Sequence, residues 1–319
     1  MKNSFILFFL FIVFTACNKK SKIEKAVEDI PLNLEVVRFD KIFYETPPEN
    51  LQKVKQQFPY FFPGNDDSVW INKMQDPLWR ELYTEVQKKF PNLQNETEQI
   101  EDVVKHIKYY FPRTPNPKVI TLISEMDYNT KAIYADTLIL VSLEMYLGKD
   151  HKFYEFPKYL KENFEPRQIG PDIASSFASG VIPPPTDNTL LGLMIYHGKE
   201  LYLKDMLLPN HTDAEKIGYT PDQITWAGEN ENYIWRYLVE EKLLYDANSK
   251  LPNRFINPAP FSKFYLEIDN ESPGRIGQWV GWQIVRSFME NNEIPLHDML
   301  KLEARQLFEQ SKYKPKKPE

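Results

Sequence analysis

The sequence predicts a predominantly helical α+β fold, in which helices pack on a small mixed or antiparallel sheet. Apolar residues recur at helical spacing through most of the chain, whereas β-branched runs cluster between positions 118 and 142. Neither an internal repeat nor an alternating strand and helix series is present, which disfavours a solenoid and a doubly wound sheet. Hydrophobic residues make up 42% of the sequence, which is enough to build a folded core.

The first 17 residues have the features of a bacterial export signal. Lys2 precedes an apolar run from Phe5 to Phe14, and two small residues lead into Cys17, the only cysteine of the chain. This N-terminus resembles a lipoprotein signal peptide, whose lipobox ends in the cysteine that is acylated. We predict a signal peptide over residues 1–16 and lipidation of Cys17. An ordinary secretory signal with a chance cysteine and an uncleaved anchor are the alternatives.

Lipidation with more than one acyl chain would make the attachment stable, because a single chain holds a protein to a bilayer only reversibly. The polar, lysine-rich stretch that follows predicts a lipidated tether over residues 17–30.

The rest of the chain predicts one globular domain over residues 31–311 and a disordered basic tail over residues 312–319. Leu32 to Glu45 predicts a first strand, and prolines divide positions 47 to 111 into short helices. Two β-rich runs, at 118–124 and 128–142, predict the small sheet. Five further helices are predicted, at 169–180, 188–208, 221–244, 272–291 and 297–308.

Charge and motifs exclude several functions. The 39 Lys and Arg residues are outnumbered by 45 Asp and Glu residues, so there is no basic excess to bind a nucleic acid. Neither a G-x-S-x-G elbow nor an H-E-x-x-H zinc motif occurs, and no phosphate-binding glycine loop has the required spacing. The sequence therefore predicts no catalytic residues, no bound metal and no cofactor.

Three of the eleven glycines lie between Glu271 and Val285. Ser272 as N-cap and Pro273 as first helical residue would place Gly277 and Gly281 one turn apart on one helix face. A second backbone could then approach that face closely. The alternative is an exposed partner-binding patch formed by Arg275, Trp279 and Trp282, since Arg and Trp are frequent interface anchors.

One pair of residues on the 188–208 helix could contribute to a metal site. His197 and Glu200 are three positions apart, so both side chains could turn toward one ion. This pair supports an alternative function as a periplasmic metal-dependent hydrolase that takes a third ligand from elsewhere. Glycan binding through the abundant aromatic residues is a third hypothesis.

The assembled pattern resembles the gliding-motility lipoprotein GldB family of the Bacteroidota. The resemblance rests on the lipobox, "VITLIS", "YADTLILVSLEMYLG", "YHGKELYLKDMLLP" and "ESPGRIGQWVGWQIVRSFM", and covers nearly the whole mature chain. It implies a non-enzymatic, lipid-anchored accessory protein of the cell envelope. In these bacteria an acidic cluster directly after the cysteine marks surface-exported lipoproteins, and the sequence Asn18-Lys19-Lys20 lacks one, which favours a body that faces the periplasm. Its partners would be the membrane, through the anchor, and gliding-machinery or secretion-associated envelope proteins. Cys17, as the lipidated cysteine, is the one functional residue that the resemblance assigns to a position in this chain.

The order of elements is also similar to the layout of zincin metallopeptidases, which carry H-E-x-x-H on the helix after the edge strand. The corresponding segment here, "IGPDIASSFASG", contains no histidine. A degenerate zincin-like scaffold could therefore survive only as a binding surface.

Overall fold

The computed structural model describes residues 21–316. In this part of the chain sixteen α-helices surround one four-stranded sheet. The N-terminal part contains α1 (Lys22–Glu28), β1 (Val36–Arg38), α2 (Phe39–Glu45), α3 (Leu51–Gln57), α4 (Asp67–Gln75), α5 (Pro77–Lys89) and α6 (Gln94–Tyr110). The sheet is completed by β2 (Lys118–Leu122), β3 (Ala132–Ala135) and β4 (Leu138–Ser142). These observations confirm the predominantly helical α+β class.

The C-terminal part is helical throughout its regular structure. It contains α7 (Lys158–Lys161), α8 (Ile169–Val181), α9 (Leu190–Leu207), α10 (Asp213–Ile217), α11 (Pro221–Glu229), α12 (Glu231–Glu240), α13 (Leu251–Phe255), α14 (Ile276–Asn291), α15 (Leu296–Met299) and α16 (Ala304–Ser311). Helices α9 and α14 pack against each other most extensively, and α8 lies between α9 and strand β3.

The sheet is mixed, with strand order β1-β2-β4-β3. Strands β1, β2 and β4 are parallel, and Val36 pairs with Val119 while Val119 pairs with Ile139. Strand β3 forms an antiparallel hairpin with β4 and occupies the edge. Val119 and Ile139 are fully buried, which explains why these strands read as continuous apolar runs.

The segment from Leu32 to Glu45 was predicted to be a strand, and this prediction is wrong after Arg38. Phe39 and Phe43 are buried four positions apart, a spacing that fits one face of a strand and one face of a helix equally well. The contacts of Asp40 favour the helix over the strand. Its buried carboxylate accepts hydrogen bonds from Arg38 at 2.7 Å and from Thr121 at 2.6 Å, which fixes the first turn of α2.

Helix α14 begins four residues later than predicted. Ser272 does not cap the helix, because its hydroxyl donates to the carbonyl oxygens of Ser262 and Asp269. Gly274 packs against the backbone of Ala259, and a Cβ added to Gly274 would overlap the carbonyl oxygen of Ala259. Arg275 then adopts a left-handed conformation, with φ of 62°, and α14 starts at Ile276.

Two other predicted helices are each divided in two. The 221–244 helix breaks at Asn230, whose side-chain amide donates to the carbonyl oxygen of Trp226 at 2.9 Å. The 297–308 helix is interrupted between α15 and α16, where the ammonium group of Lys199 binds the carbonyl oxygen of Leu300 at 3.1 Å.

Both ends of the described chain contact the body. Within the predicted tether, α1 buries Val27, and Lys105 of α6 donates to the carbonyl oxygen of Glu28. Within the predicted tail, the hydroxyl of Tyr313 donates to Glu231 at 2.7 Å, and its ring packs on Trp235. Cys17 and the signal peptide lie outside the described residues.

The close helix packing predicted for the glycine-rich segment is confirmed. A Cβ added to Gly281 of α14 would overlap the carbonyl oxygen of Met194 of α9, and one added to Gly198 would overlap the backbone of Gly281. Since both obstacles are backbone atoms, neither can move aside by a rotamer change. The two helices therefore touch through their main chains.

We expect Gly281→Ala to lower the free energy of unfolding by about 3 kcal/mol or more, because α9 and α14 must separate to admit the methyl group. Gly180→Ala is the matched control, since an added Cβ at this position of α8 meets nothing within 4 Å. It should raise stability by up to about 1 kcal/mol. Urea unfolding measures both, and equal stability of the two variants would contradict direct main-chain contact.

A second prediction concerns Glu144, which is fully buried after β4. One carboxyl oxygen accepts from the amide and hydroxyl of Ser124, and the other has no partner. Burial raises the pKa of Glu144 from 4.5 to about 7, against the opposing effect of the Ser124 hydrogen bonds. The folded state therefore holds a proton that the unfolded state releases, and this stabilisation is complete below pH 4.5 and lost as pH rises through 7.

We expect Glu144→Gln to remove this pH dependence, because the amide keeps an oxygen for Ser124 and does not titrate. Relative to the variant, the wild-type protein should lose roughly 3 kcal/mol of unfolding free energy between pH 4.5 and 8. Denaturant unfolding at several pH values measures this. Glu125→Gln, at an exposed neighbouring carboxylate, is the control; parallel pH curves for wild type and Glu144→Gln would contradict the proposed titration.

A candidate binding cavity between helices α8, α9 and α14

A cavity with a volume of about 1010 Å³ lies where α8 and α9 meet the segment before α14. Helix α8 contributes Asp172 and Ser175, and α9 contributes His197, Glu200 and Lys204. The remaining walls come from residues 128–131, from the chain around α7, from the α10–α11 connection, from prolines 258 and 260 with Arg275, and from Gln278 of α14. The main-chain contact between α9 and α14 therefore fixes two sides of this cavity.

Glu200 is the centre of one polar cluster in the cavity. Ser175 donates its hydroxyl to Glu200 at 2.9 Å, and the His197 Nδ1 and Lys204 Nζ atoms both lie 3.6 Å from the carboxylate. Burial, the largest effect, would raise the pKa of Glu200. The His197 hydrogen bond and the Lys204 charge outweigh burial, and they lower this pKa to about 2. The carboxylate is thus ionised, and one of its oxygens accepts from Ser175 while the other faces His197.

Asp172 forms a second cluster on α8. The ammonium group of Lys131 lies 2.7 Å from its carboxylate, and Tyr146 donates its hydroxyl to the same group at 2.8 Å. Burial raises the pKa of Tyr146 well above its ordinary value, so the hydroxyl remains a donor. Lys131 also donates to the carbonyl oxygen of Asn163 at 3.3 Å.

The cavity is joined to a further ionic network that ties α9 and α10 to α14. Lys204 donates to the carbonyl oxygen of Lys216, and Lys216 in turn binds Asp205 at 2.9 Å. Arg286 of α14 holds Asp205 through two hydrogen bonds of 2.8 Å and also binds Asp213. These carboxylates raise the pKa of Arg286 even though burial, the largest effect, acts in the opposite direction.

Arg275 differs from the other cavity cations in its contacts. Its guanidinium donates one hydrogen bond, to the carbonyl oxygen of Gly218 at 3.1 Å, and lies 5.5 Å from the ring centre of Tyr219. The hydroxyl of Tyr219 donates to the carbonyl oxygen of Gly274 at 2.6 Å and so holds the turn before α14. Within residues 21–316 Arg275 has no carboxylate partner.

The predicted patch of Arg275, Trp279 and Trp282 is corrected by the structure. Trp279 is 5% exposed and Trp282 is fully buried, so both indoles belong to the core. The Trp282 ring stacks on Arg286 at 3.8 Å and its N–H donates to Asp205. The reason is that α14 is buried on most of its surface, including the positions of both tryptophans, whereas Arg275 lies in the turn before the helix. Arg275 alone of the three lines the cavity.

His197 and Glu200 do meet in the cavity, as their spacing predicts. However, Lys204 stands within 3.6 Å of the carboxylate, where its positive charge opposes the binding of a metal ion. Among the side chains of residues 21–316, no group of three or more His, Cys, Asp or Glu residues could hold a metal. The sequence analysis missed Ser175 and Lys204, although Lys204 follows Glu200 at i+4 spacing.

The fold and the cavity define a helix-rich α+β domain with a hydrophobic core and a polar cavity in which most charges are paired. Helices long and apolar enough to cross a membrane do not occur between residues 21 and 316. The chain belongs to the family described as gliding motility protein GldB, whose family model matches residues 20–315. Comparison with curated proteins and with solved structures found no match.

Proposed function

We propose that this protein is a lipid-anchored accessory protein of the cell envelope that gliding motility requires, and that it acts through protein contacts rather than catalysis. The observation that carries the proposal is the family match over residues 20–315, which begins three residues after Cys17, the predicted lipidation site that follows the predicted signal peptide over residues 1–16. Acyl chains on Cys17 would hold the body at the membrane, facing the periplasm. Its partners would be gliding-machinery or secretion-associated envelope proteins.

The pairing of charges in the cavity supports a non-catalytic role. General acid and base catalysis works best with groups whose pKa lies near the operating pH. Glu200, with a pKa of about 2, is a poor base at neutral pH, and its oxygens already accept from Ser175 and face Lys204. Asp172 is similarly engaged by Lys131 and Tyr146.

A metal-dependent hydrolase is the second candidate, because His197 and Glu200 lie together in the cavity. We expect the purified protein, incubated with zinc and desalted, to retain far less than one equivalent, and His197→Ala to change nothing. Elemental analysis measures this. His297→Ala, which alters an exposed histidine of α15, is the control. Stoichiometric zinc that only His197→Ala removes would favour the hydrolase.

The anchor is tested directly at Cys17. We expect Cys17→Ala to abolish acylation, to move the protein out of the membrane fraction and to stop gliding, because no other cysteine can receive the lipid. Intact mass, membrane fractionation and colony spreading measure these effects. Asn18→Ala should behave as wild type. An unmodified Cys17 in the wild-type protein, or a Cys17→Ala protein that stays in membranes and supports gliding, would refute the proposal.

A further inference from the structure

We propose that the cavity between α8, α9 and α14 binds the C-terminal carboxylate of a peptide segment, with Arg275 as the group that recognises the negative charge. This inference rests on the proposed function, since it specifies how the body would hold a protein partner. It is carried by the cavity volume, by the charge balance of its walls and by the position of Arg275.

The charge balance of the cavity leaves one cation without a counter-ion. Lys131 is paired with Asp172, Lys204 with Glu200, and Lys216 with Asp205. Glu162, which also lines the cavity, is paired with Lys149. Lys158 and Asp222 are exposed at the rim, and their opposite charges cancel in the net charge of the cavity. The half-buried Arg275 is the remaining positive charge, and the nearby Lys204 repels it.

Arg275 also has donors to spare. A guanidinium carries five N–H donors, and only one of them, on Nη2, has an acceptor within residues 21–316. The other donors form a planar fork that matches the two oxygens of a carboxylate. The left-handed backbone at this position, which costs about 1 kcal/mol or more for a residue other than glycine, is consistent with a site that needs this side chain.

A single uncompensated cation favours a ligand with one negative charge over a phosphate dianion, which would need a second free cation. The walls favour a peptide. They combine apolar surfaces from prolines 157, 171, 258 and 260 with tyrosine rings, and carry paired polar groups that can bind a peptide backbone. The volume of about 1010 Å³ has room for several residues.

The test uses the full chain in detergent and two hexapeptide libraries that differ only at the C-terminus, one with free carboxylates and one with amides. We expect the protein to enrich peptides from the free-acid library only. For the tightest peptide, amidation should raise Kd at least tenfold. Arg275→Gln should cause a similar loss, and in that variant amidation should have no further effect, as expected for two groups that interact directly.

Arg236→Gln, which alters an exposed arginine of α12 paired with Glu240, is the matched control and should bind as wild type. Arg275→Lys keeps the charge without the fork and should give an intermediate Kd. Thermal unfolding checks that each variant is folded. Equal recovery from both libraries, discrimination that survives in Arg275→Gln, or stronger competition by inorganic phosphate than by acetate would each overturn the proposal.

This outcome is distinguishable from failure of the proposed function. Peptide binding by the purified chain does not depend on acylation or gliding, so a negative result leaves the Cys17 experiment to decide the anchor. Conversely, a peptide that binds through Arg275 would remain a valid finding even if Cys17→Ala cells glide normally.

Discussion

The main-chain contact between α9 and α14 is the constraint on which the rest of the C-terminal part depends. It requires glycine at 198 and 281, since a side chain at either position would meet backbone atoms of the other helix. Once the two helices are that close, Arg286 reaches Asp205 across them, and Trp282 fills the space beside this pair. Glu200 and Lys204 are then presented on one wall of the cavity.

The ionic network contributes little net free energy to the α9–α14 contact. Buried ion pairs lose much of their Coulombic gain to desolvation, and hydrophobic replacements are often equally stable. Asp205 of α9 instead fixes the geometry, because it accepts hydrogen bonds from Lys216 of α10 and from Trp282 and Arg286 of α14. Such a residue fixes the rotation of α9 relative to α14, and with it the positions of Glu200 and Arg275.

Much of the fold follows from local patterns, and the failures at Phe39 to Glu45 and before Ile276 share one cause. The sheet and the long helices were predictable because β-branched runs and helical spacing act within a few residues. Phe39 to Glu45 and the residues before Ile276 were not, because contacts with Thr121 and Ala259, distant in sequence, decide them. The same limit applies to the cavity: the i+3 spacing indicated that His197 and Glu200 meet, but no local pattern relates them to Ser175 or Arg275.

Helix α1 has a consequence for how far the body can stand from the bilayer. Cys17 and Lys22 are five positions apart in the sequence, so even a fully extended chain between them spans at most about 18 Å. Helix α1 is packed on α6 through Val27 and Glu28. The residues from Lys22 onward are therefore part of the folded body and do not lengthen the connection to Cys17. A lipid on Cys17 would hold the face around α1 within about two nanometres of the headgroups. A partner would then have to bind the sides of the body or the face opposite α1. The anchored protein would meet that partner by diffusing in the plane of the membrane.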